Sequence, residues 1–171
     1  MTIKDKRKSS DITEALMNLL NSSAQEGMQY VTFLIGEEEY AIAISLVQEI
    51  TALKPLTPLP NTQDFVRGIL NLRGNVIPVM DLRAIFGLPP TEFSKHTVII
   101  IFNNNEKKIG LIVDQISDVI TIDKSNIEDT PDVALSINTS FIDGIGKIGD
   151  RFIIMLNLST VFSTQLKDTH V

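Results

Sequence analysis

Arg73 is the side chain best placed to recognise a partner, and it lies in residues 67–83, which read RGILNLRGNVIPVMDLR. Two apolar runs flank Arg73 and Gly74, and this pattern predicts two strands joined by a tight turn. Gly74 supplies the positive φ that such a turn needs, but turn geometry does not require an arginine. A guanidinium carries five donors in a planar fork and is enriched at protein interfaces. Arg73 is therefore a candidate partner contact; the alternative is a solvated turn residue or one that pairs with Asp81 or Glu49.

A second candidate surface is the segment LVQEI at residues 46–50. Val47 and Ile50 are expected to lie half in the core and half at the surface, with the charge of Glu49 between them. The alternative is an ordinary connection between two strands, with no role in binding.

The side chains that enzymes commonly use are scarce in this chain. His96 and His170 are the only histidines, and there is no cysteine, so neither a Ser-His-Asp triad nor a cysteine-based zinc site is supported. No phosphate-binding glycine loop follows a predicted strand, because the glycine-rich run GIGKIG at 144–149 falls within a predicted hairpin. We therefore expect a non-catalytic chain with no cofactor, metal or small-molecule substrate.

The charge of the chain argues against nucleic acid as a partner. Four of its 15 basic residues fall in residues 1–10, whereas 20 of its 21 acidic residues lie beyond them. A strongly acidic body repels a phosphate backbone. No apolar run approaches the roughly 18 residues that span a bilayer, and no apolar stretch of a signal peptide follows the basic start. These features predict a cytoplasmic protein.

Hydrophobic periodicity predicts short strands over most of the chain. Asp11 and Glu14 resemble a capping box before an apolar stripe, which predicts a helix in residues 11–27. The period then changes to two, which predicts strands at Tyr30–Ile35 and Glu39–Ile44. Residues 45–50 fit either a helical turn or a strand. Three prolines within residues 55–60 predict an extended connector outside the sheet, and a short helix is expected near Leu82–Phe86.

The two halves of this body repeat one another. Residues 65–86, FVRGILNLRGNVIPVMDLRAIF, align without gaps on residues 141–162, FIDGIGKIGDRFIIMLNLSTVF, at an offset of 76. Upstream, Phe33, Tyr40 and Ile42 match Phe102, Ile109 and Leu111 at an offset of 69. Short strands with one apolar face each bury that face by closing on themselves. The repeat therefore predicts an all-β protein of two small five-stranded barrels, with a groove between them for a partner.

The repeat also separates positions shared by both copies from positions found in one. Gly68 recurs as Gly144, so both are expected to serve a bulge or a close backbone approach. The polar positions of the first copy do not recur: Arg67, Asn71 and Arg73 are matched by Asp143, Lys147 and Gly149. We therefore expect these side chains of the first copy to be free for function.

The run PLPNTQDFVRGILNLRGNVIPVMDLR, preceded by YAIAISLVQEI and followed by GLIVDQISDVITI, resembles the CheW family of bacterial chemotaxis coupling proteins. The resemblance implies two SH3-like five-stranded β-barrels and no catalysis. It implies a domain at residues 28–162, made of intertwined barrels at approximately 28–95 and 96–162. Outside this domain lie a partly helical extension at 1–27 and a tail at 163–171.

The resemblance also implies the partners. Family members connect the cytoplasmic tip of transmembrane chemoreceptors to the regulatory domain of a histidine kinase, so this chain would lie at receptor arrays on the inner face of the membrane and associate with it only through receptors. The receptor-binding residues of the family correspond here to Val47, Glu49, Ile50, Gly68 and Arg73, with Leu70, Asn71 and Leu72 supporting the hairpin. The alternative is a β-barrel that binds a ligand or partner unrelated to chemotaxis.

Overall fold

The computed structural model of the protein describes residues 28–104, 106–129 and 139–162. The helix predicted in residues 11–27 and the tail at 163–171 lie outside the described residues. Within them, no helix has the length and apolar character needed to cross a membrane.

The described residues form eleven strands and a few short helical turns. The strands are β1 (Met28–Ile35), β2 (Glu38–Ala43), β3 (Val47–Ala52), β4 (Val66–Leu72), β5 (Asn75–Asp81), β6 (Val98–Asn104), β7 (Lys107–Val113), β8 (Gln115–Ile122), β9 (Ile127–Glu128), β10 (Ile142–Ile148) and β11 (Arg151–Leu156). The helix α1 (Leu82–Ile85) follows β5, and α2 at 158–162 follows β11. Three-residue 3₁₀ turns occupy Ile44–Leu46, Lys124–Asn126 and Thr139–Phe141. The segment 45–50 is thus a helical turn followed by a strand, which combines both predicted alternatives.

The strands form two sheets, which confirms the all-β prediction. One has the order β8-β1-β2-β11-β10-β9 and the other the order β3-β6-β7-β5-β4. The second sheet has the five strands expected, and the first has a sixth because the two-residue β9 pairs with β10.

Each sheet takes strands from both halves of the chain. The hairpin β1–β2 lies between β8 and β11, and the repeat-related hairpin β6–β7 lies between β3 and β5. The joins to β11 and to β5 are parallel: Met155 pairs with Ala41, and Val79 pairs with Gly110 at the repeat-related positions. The predicted boundary near residue 95 therefore separates the two copies of the repeat but does not separate the two sheets.

Three apolar clusters fill the interior. The largest takes residues from both sheets, including Phe33, Tyr40 and Phe102, each at most 1% exposed. Each sheet also buries a smaller cluster of its own: one contains Leu70, Ile77, Val79, Ile99, Ile101 and Ile112, and the other contains Ala41, Ile120, Ile122, Ile153 and Met155. Each sheet thus buries apolar side chains both against the other sheet and in a cluster of its own. This burial is the main source of stability.

The recurring glycines serve backbone geometry. The register of β4 with β5 shifts between Val66 and Gly68, and that of β10 with β11 shifts between Ile142 and Gly144. A Cβ at Gly68 would lie 2.5 Å from the carbonyl oxygen of Thr57, and one at Gly144 would lie 2.6 Å from that of Glu128. Both glycines mark a bulge where another segment approaches closely, which confirms the prediction.

Candidate functional site

The turn between β4 and β5 holds Arg73 in an unusual backbone conformation. The φ angle is +51° at Arg73 and +84° at Gly74, so both central residues of the turn are left-handed. A turn of this kind favours Asn-Gly or Gly-Gly, and a left-handed arginine costs about 1 kcal/mol. The sequence correctly placed a positive φ at Gly74 but missed the one at Arg73. Because the backbone conformation disfavours an arginine at this position, the presence of Arg73 suggests that its side chain has a role.

The guanidinium of Arg73 is paired yet remains at the surface. Its Nη2 donates to Oε1 of Glu49 on β3, so one of the alternatives considered for Arg73 is present in the structure. The side chain of Arg73 is 71% exposed and that of Glu49 is 25% exposed. An arginine fork has donors for more than one acceptor, so this exposed pair can still contact a partner.

A pocket of about 210 Å³ lies beside this ion pair. It is lined by Gln48, Glu49, Leu72, Arg73, Asn75, Ile77, Ile101 and Lys108. Ile77 and Ile101 are almost completely buried, so they lie beneath the pocket, and the side chains that a partner could contact are polar or charged apart from the half-buried Leu72. All these residues belong to strands of the five-stranded sheet or to its β4–β5 turn. One sheet alone lines this pocket, so the pocket is not itself the groove predicted between the two barrels, and the binding of a partner in that groove stays a prediction.

The residues predicted to bind a receptor divide into two sets. Val47, Glu49 and Leu72 are half-buried, and Asn71 and Arg73 are exposed, all near the β4–β5 tip or on the adjacent β3. The other three predicted residues, Ile50, Gly68 and Leu70, are buried. Ile50 was expected at a half-exposed wall, but its side chain packs in the core, so it supports the surface from beneath.

Arg67 was expected to be free for function, and the structure corrects this. Its Nε and Nη2 donate to Oδ2 of Asp81 at 3.0 and 2.8 Å, and the other oxygen of Asp81 accepts from the backbone N–H of Arg83 and caps α1. In the second copy the side-chain amide of Asn157 donates to Asp143 at 2.9 Å. The same cross-strand pair therefore recurs with different residue types, so a difference between copies is not in itself a sign of function.

A second arginine lies at the equivalent hairpin tip of the six-stranded sheet. Arg151 donates to Glu39 on β2 at 2.5 Å, and its Nη1 lies 3.5 Å from Oδ2 of Asp118 on β8. Burial raises the pKa of Glu39, but hydrogen bonds from Arg151, Thr32 and Ser117 outweigh it and place that pKa below its ordinary value. The hydrogen bond to Glu39 is also the main reason why the pKa of Arg151 is raised. This cluster was not predicted from the sequence, although the offset of 69 that relates Glu49 to Asp118 was a signal for it.

Both hairpins also expose one large apolar side chain at repeat-related positions. Val76 on β5 is 65% exposed, and Phe152 on β11 is 64% exposed. The Nζ of Lys147 lies 5.8 Å from the ring centroid of Phe152, within the range of a cation–π contact. Phe152 also lines a cavity of about 530 Å³, together with three glutamates of the β1–β2 turn region, Glu37, Glu38 and Glu39.

Among the described residues, no group of three or more His, Asp or Glu side chains is arranged to hold a metal ion. Both tips present ion pairs, hydrogen-bond donors and exposed apolar side chains.

Comparisons with known proteins agree with this architecture. A family model described as CheW-like domain matches residues 29–166. The chain is 34% identical to the chemotaxis protein CheW of Klebsiella aerogenes over 81% of this chain and 84% of that protein, and 36% identical to that of Helicobacter pylori over 80% and 82%. The crystal structure of the scaffolding protein TtCheW from Thermoanaerobacter tengcongensis superposes with a TM-score of 0.74 at 40% identity, covering 80% of this chain and 92% of that one. Because the family model spans most of the sequence, this chain belongs to the CheW-like family of chemotaxis proteins.

Proposed function

We propose that this protein is a non-catalytic adaptor that couples chemoreceptors to the chemotaxis histidine kinase at the cytoplasmic face of the membrane. Membership of a family whose relatives are named chemotaxis proteins, and similarity to a structure described as a scaffolding protein, support this proposal. A coupling role requires two partner surfaces that can be occupied together. The two sheets offer one candidate surface each, at the β4–β5 tip and at the β10–β11 tip.

The observation that carries the receptor assignment is the exposed, left-handed Arg73 beside a pocket lined by charged and polar side chains and by Leu72. A receptor tip is a helical hairpin, and a helix docks by placing apolar side chains in a groove and polar ones at its rim. Val47, Glu49, Asn71 and Leu72 surround Arg73 and form this surface with it. Ile50, Gly68 and Leu70 hold the surface in shape from the core.

Substitution of Arg73 by glutamate tests the receptor assignment. The variant R73E places a carboxylate next to Glu49, so we expect binding to a purified cytoplasmic receptor fragment to weaken at least tenfold, by about 1.4 kcal/mol or more. Receptor-dependent kinase activation should fall with it, while the melting temperature stays near that of the wild type because Arg73 is exposed. Lys107→Glu, an exposed charge reversal in the same sheet outside the pocket, is the matched control. Normal receptor binding by R73E would show that the assignment is wrong.

For the kinase, we assign the β10–β11 tip. Phe152 offers a large exposed aromatic side chain, a residue type that often dominates interface energies. The acidic and apolar cavity beside it differs in charge from the pocket at Arg73, which suits a different partner. Under this proposal Phe152→Ser weakens kinase binding and leaves receptor binding unchanged, whereas R73E does the reverse. Pull-down of each purified partner separately measures both effects, and loss of both partners by either variant in a normally folded protein would contradict two separate surfaces.

A further inference from the structure

We propose that Lys108 is a second cation of the Arg73 pocket, and that Lys108 and Arg73 together bind a carboxylate side chain supplied by the helical receptor tip. This inference rests on the proposed function, because it names the chemistry of the receptor at the same surface. Lys108 comes from the second half of the chain and was not among the residues predicted from the sequence.

The equivalent tip of the other sheet provides the comparison. There, one arginine, Arg151, holds two carboxylates of this same chain, Glu39 from β2 and Asp118 from β8. The repeat matches Asp118 to Glu49 and Glu39 to Lys108, both at an offset of 69. The Arg73 tip therefore keeps the carboxylate from the crossover strand but has a lysine where the other tip has its second carboxylate.

The sheet pairing shows that this match holds in three dimensions. Glu39 lies on β2, which pairs in parallel with β11, and Lys108 lies on β7, which pairs in parallel with β5. In each sheet the residue lies on the central hairpin, beside the strand that follows the tip. Lys108 lines the Arg73 pocket just as Glu39 lines the cavity beside Arg151.

The charges at the two tips are consequently opposite. At the second tip, two carboxylates surround one guanidinium, so the cluster carries one excess negative charge. At the first tip, Arg73 and Lys108 face only Glu49, so the pocket carries one excess positive charge within a chain whose net charge is −6. Among the described residues, no carboxylate lies within ion-pair distance of Lys108, which is half-buried.

The charge of the pocket favours an acidic side chain as the occupant. Arg73 and Lys108 both line the pocket, so together they can bind one carboxylate, and the half-buried Leu72 can contact the methylene groups of a glutamate. An additional lysine or arginine from the partner would meet like charges in a partly desolvated site, which costs affinity.

Affinity measurements on the full-length chain test this inference. Isothermal titration calorimetry measures the dissociation constant of a purified cytoplasmic receptor fragment for the wild type, K108Q, K108E and K108R, at low and high salt. We expect K108Q to weaken binding by about fivefold and K108E by about tenfold or more, and K108R to bind like the wild type, because the charge and not the packing matters. The loss should shrink at high salt as the interaction is screened. K107Q, which removes the neighbouring exposed charge, should change affinity by less than about twofold.

Replacing each acidic residue of the receptor fragment by its amide then identifies the partner. One such change should weaken binding to the wild type but have little further effect on K108Q, which is the signature of a direct contact in a double-mutant cycle. If the wild type binds, R73E does not, and K108E binds as tightly as the wild type, this inference is overturned while the adaptor function stands. If the wild type itself fails to bind the fragment, the proposed function is overturned and the inference with it.

Discussion

At the scale of single residues, the two hairpin arginines show that the partners of a charge, and not its presence, decide what it can do. Arg151 bonds two carboxylates of its own chain, one on β2 and one on β8. Arg73 bonds one carboxylate and keeps most of its side chain at the surface. The first arrangement favours a structural role, whereas the second leaves donors for a partner.

The pair of Glu39 and Arg151 predicts a dependence of stability on pH. Burial raises the pKa of Glu39, but its hydrogen bonds, first among them the one from Arg151, outweigh burial and lower that pKa from its ordinary value of 4.5. A carboxyl with a lowered pKa stabilises the fold above the ordinary value and loses this contribution as pH falls through the lowered pKa. We expect E39Q to be less stable than the wild type at pH 7, and this difference to shrink as the pH falls below 4.5 and through the lowered pKa of Glu39. Urea unfolding from neutral to acid pH measures the effect.

Glu37→Gln is the matched control, since Glu37 is exposed and makes no ion pair within the part of the chain that the structure describes. Its difference in free energy of unfolding from the wild type should be small at every pH. A difference between E39Q and the wild type that stays constant with pH would contradict the ion-pair explanation.

The sequence predicted individual residues only where their role depends on local geometry. Gly68 and Gly144 were identified because a recurring glycine points to backbone constraints, whereas the partner contact expected at Arg73 stays a prediction. Arg67 and Ile50 were misjudged, because the bond to Asp81 and the burial of Ile50 depend on how distant strands pack. Lys108 was missed for the same reason, since its approach to Arg73 depends on the parallel pairing of β5 with β7.

At the scale of elements, the β4–β5 hairpin depends on two glycines with different functions. Gly68 lies at the bulge, with φ of +146° and the carbonyl of Thr57 directly against it. Gly74 has φ of +84°, and a Cβ at this position would meet no atom within 4 Å. The first glycine is required by both conformation and space, and the second by conformation alone. The bulge at Gly68 also coincides with the bridge between Thr57 and Ile69, which fastens the proline-containing connector to the edge of the sheet.

We therefore expect unequal effects from the two alanine substitutions. Gly68→Ala should destabilise the protein by about 3 kcal/mol, because a backbone clash adds to the unfavourable φ. Gly74→Ala should cost about 1 kcal/mol, since only the left-handed conformation is unfavourable. Chemical denaturation of both variants under the same conditions measures the difference. Equal losses would mean that the connector moves away freely and that the bulge does not fix its position.

The hairpins themselves were predictable because alternating apolar residues and turn glycines are local signals. The strands predicted near Tyr30–Ile35 and Glu39–Ile44 agree with β1 and β2 to within two residues, and the short helix near Leu82–Phe86 agrees with α1. The two-residue β9 was not predicted, because a strand this short has no period and forms only through its pairing with β10.

At the scale of the whole molecule, the repeat in sequence does not correspond to a repeat of separate folding units. Each half contributes its first hairpin to the centre of the sheet that the other half surrounds. A sequence alignment shows that two copies exist, but it cannot show which copy each strand pairs with, since both hairpins carry the same apolar pattern. This exchange of first hairpins between the halves also brings Lys108 of the second half to the pocket of the first. The candidate site therefore depends on the exchange.

The exchange predicts that neither half folds alone. A fragment of residues 28–95 lacks β6 and β7, so β3 loses its neighbour in the sheet and β5 loses one of its two, while β1 and β2 keep only each other. An isolated two-stranded hairpin is marginally stable in water, and the large cluster between the sheets would be exposed. We expect fragments 28–95 and 96–162 each to lack cooperative thermal unfolding, and an equimolar mixture to regain β-sheet circular dichroism. Cooperative unfolding of either fragment by itself would contradict this, because it would mean that the two strand sets can close without exchanging their first hairpins.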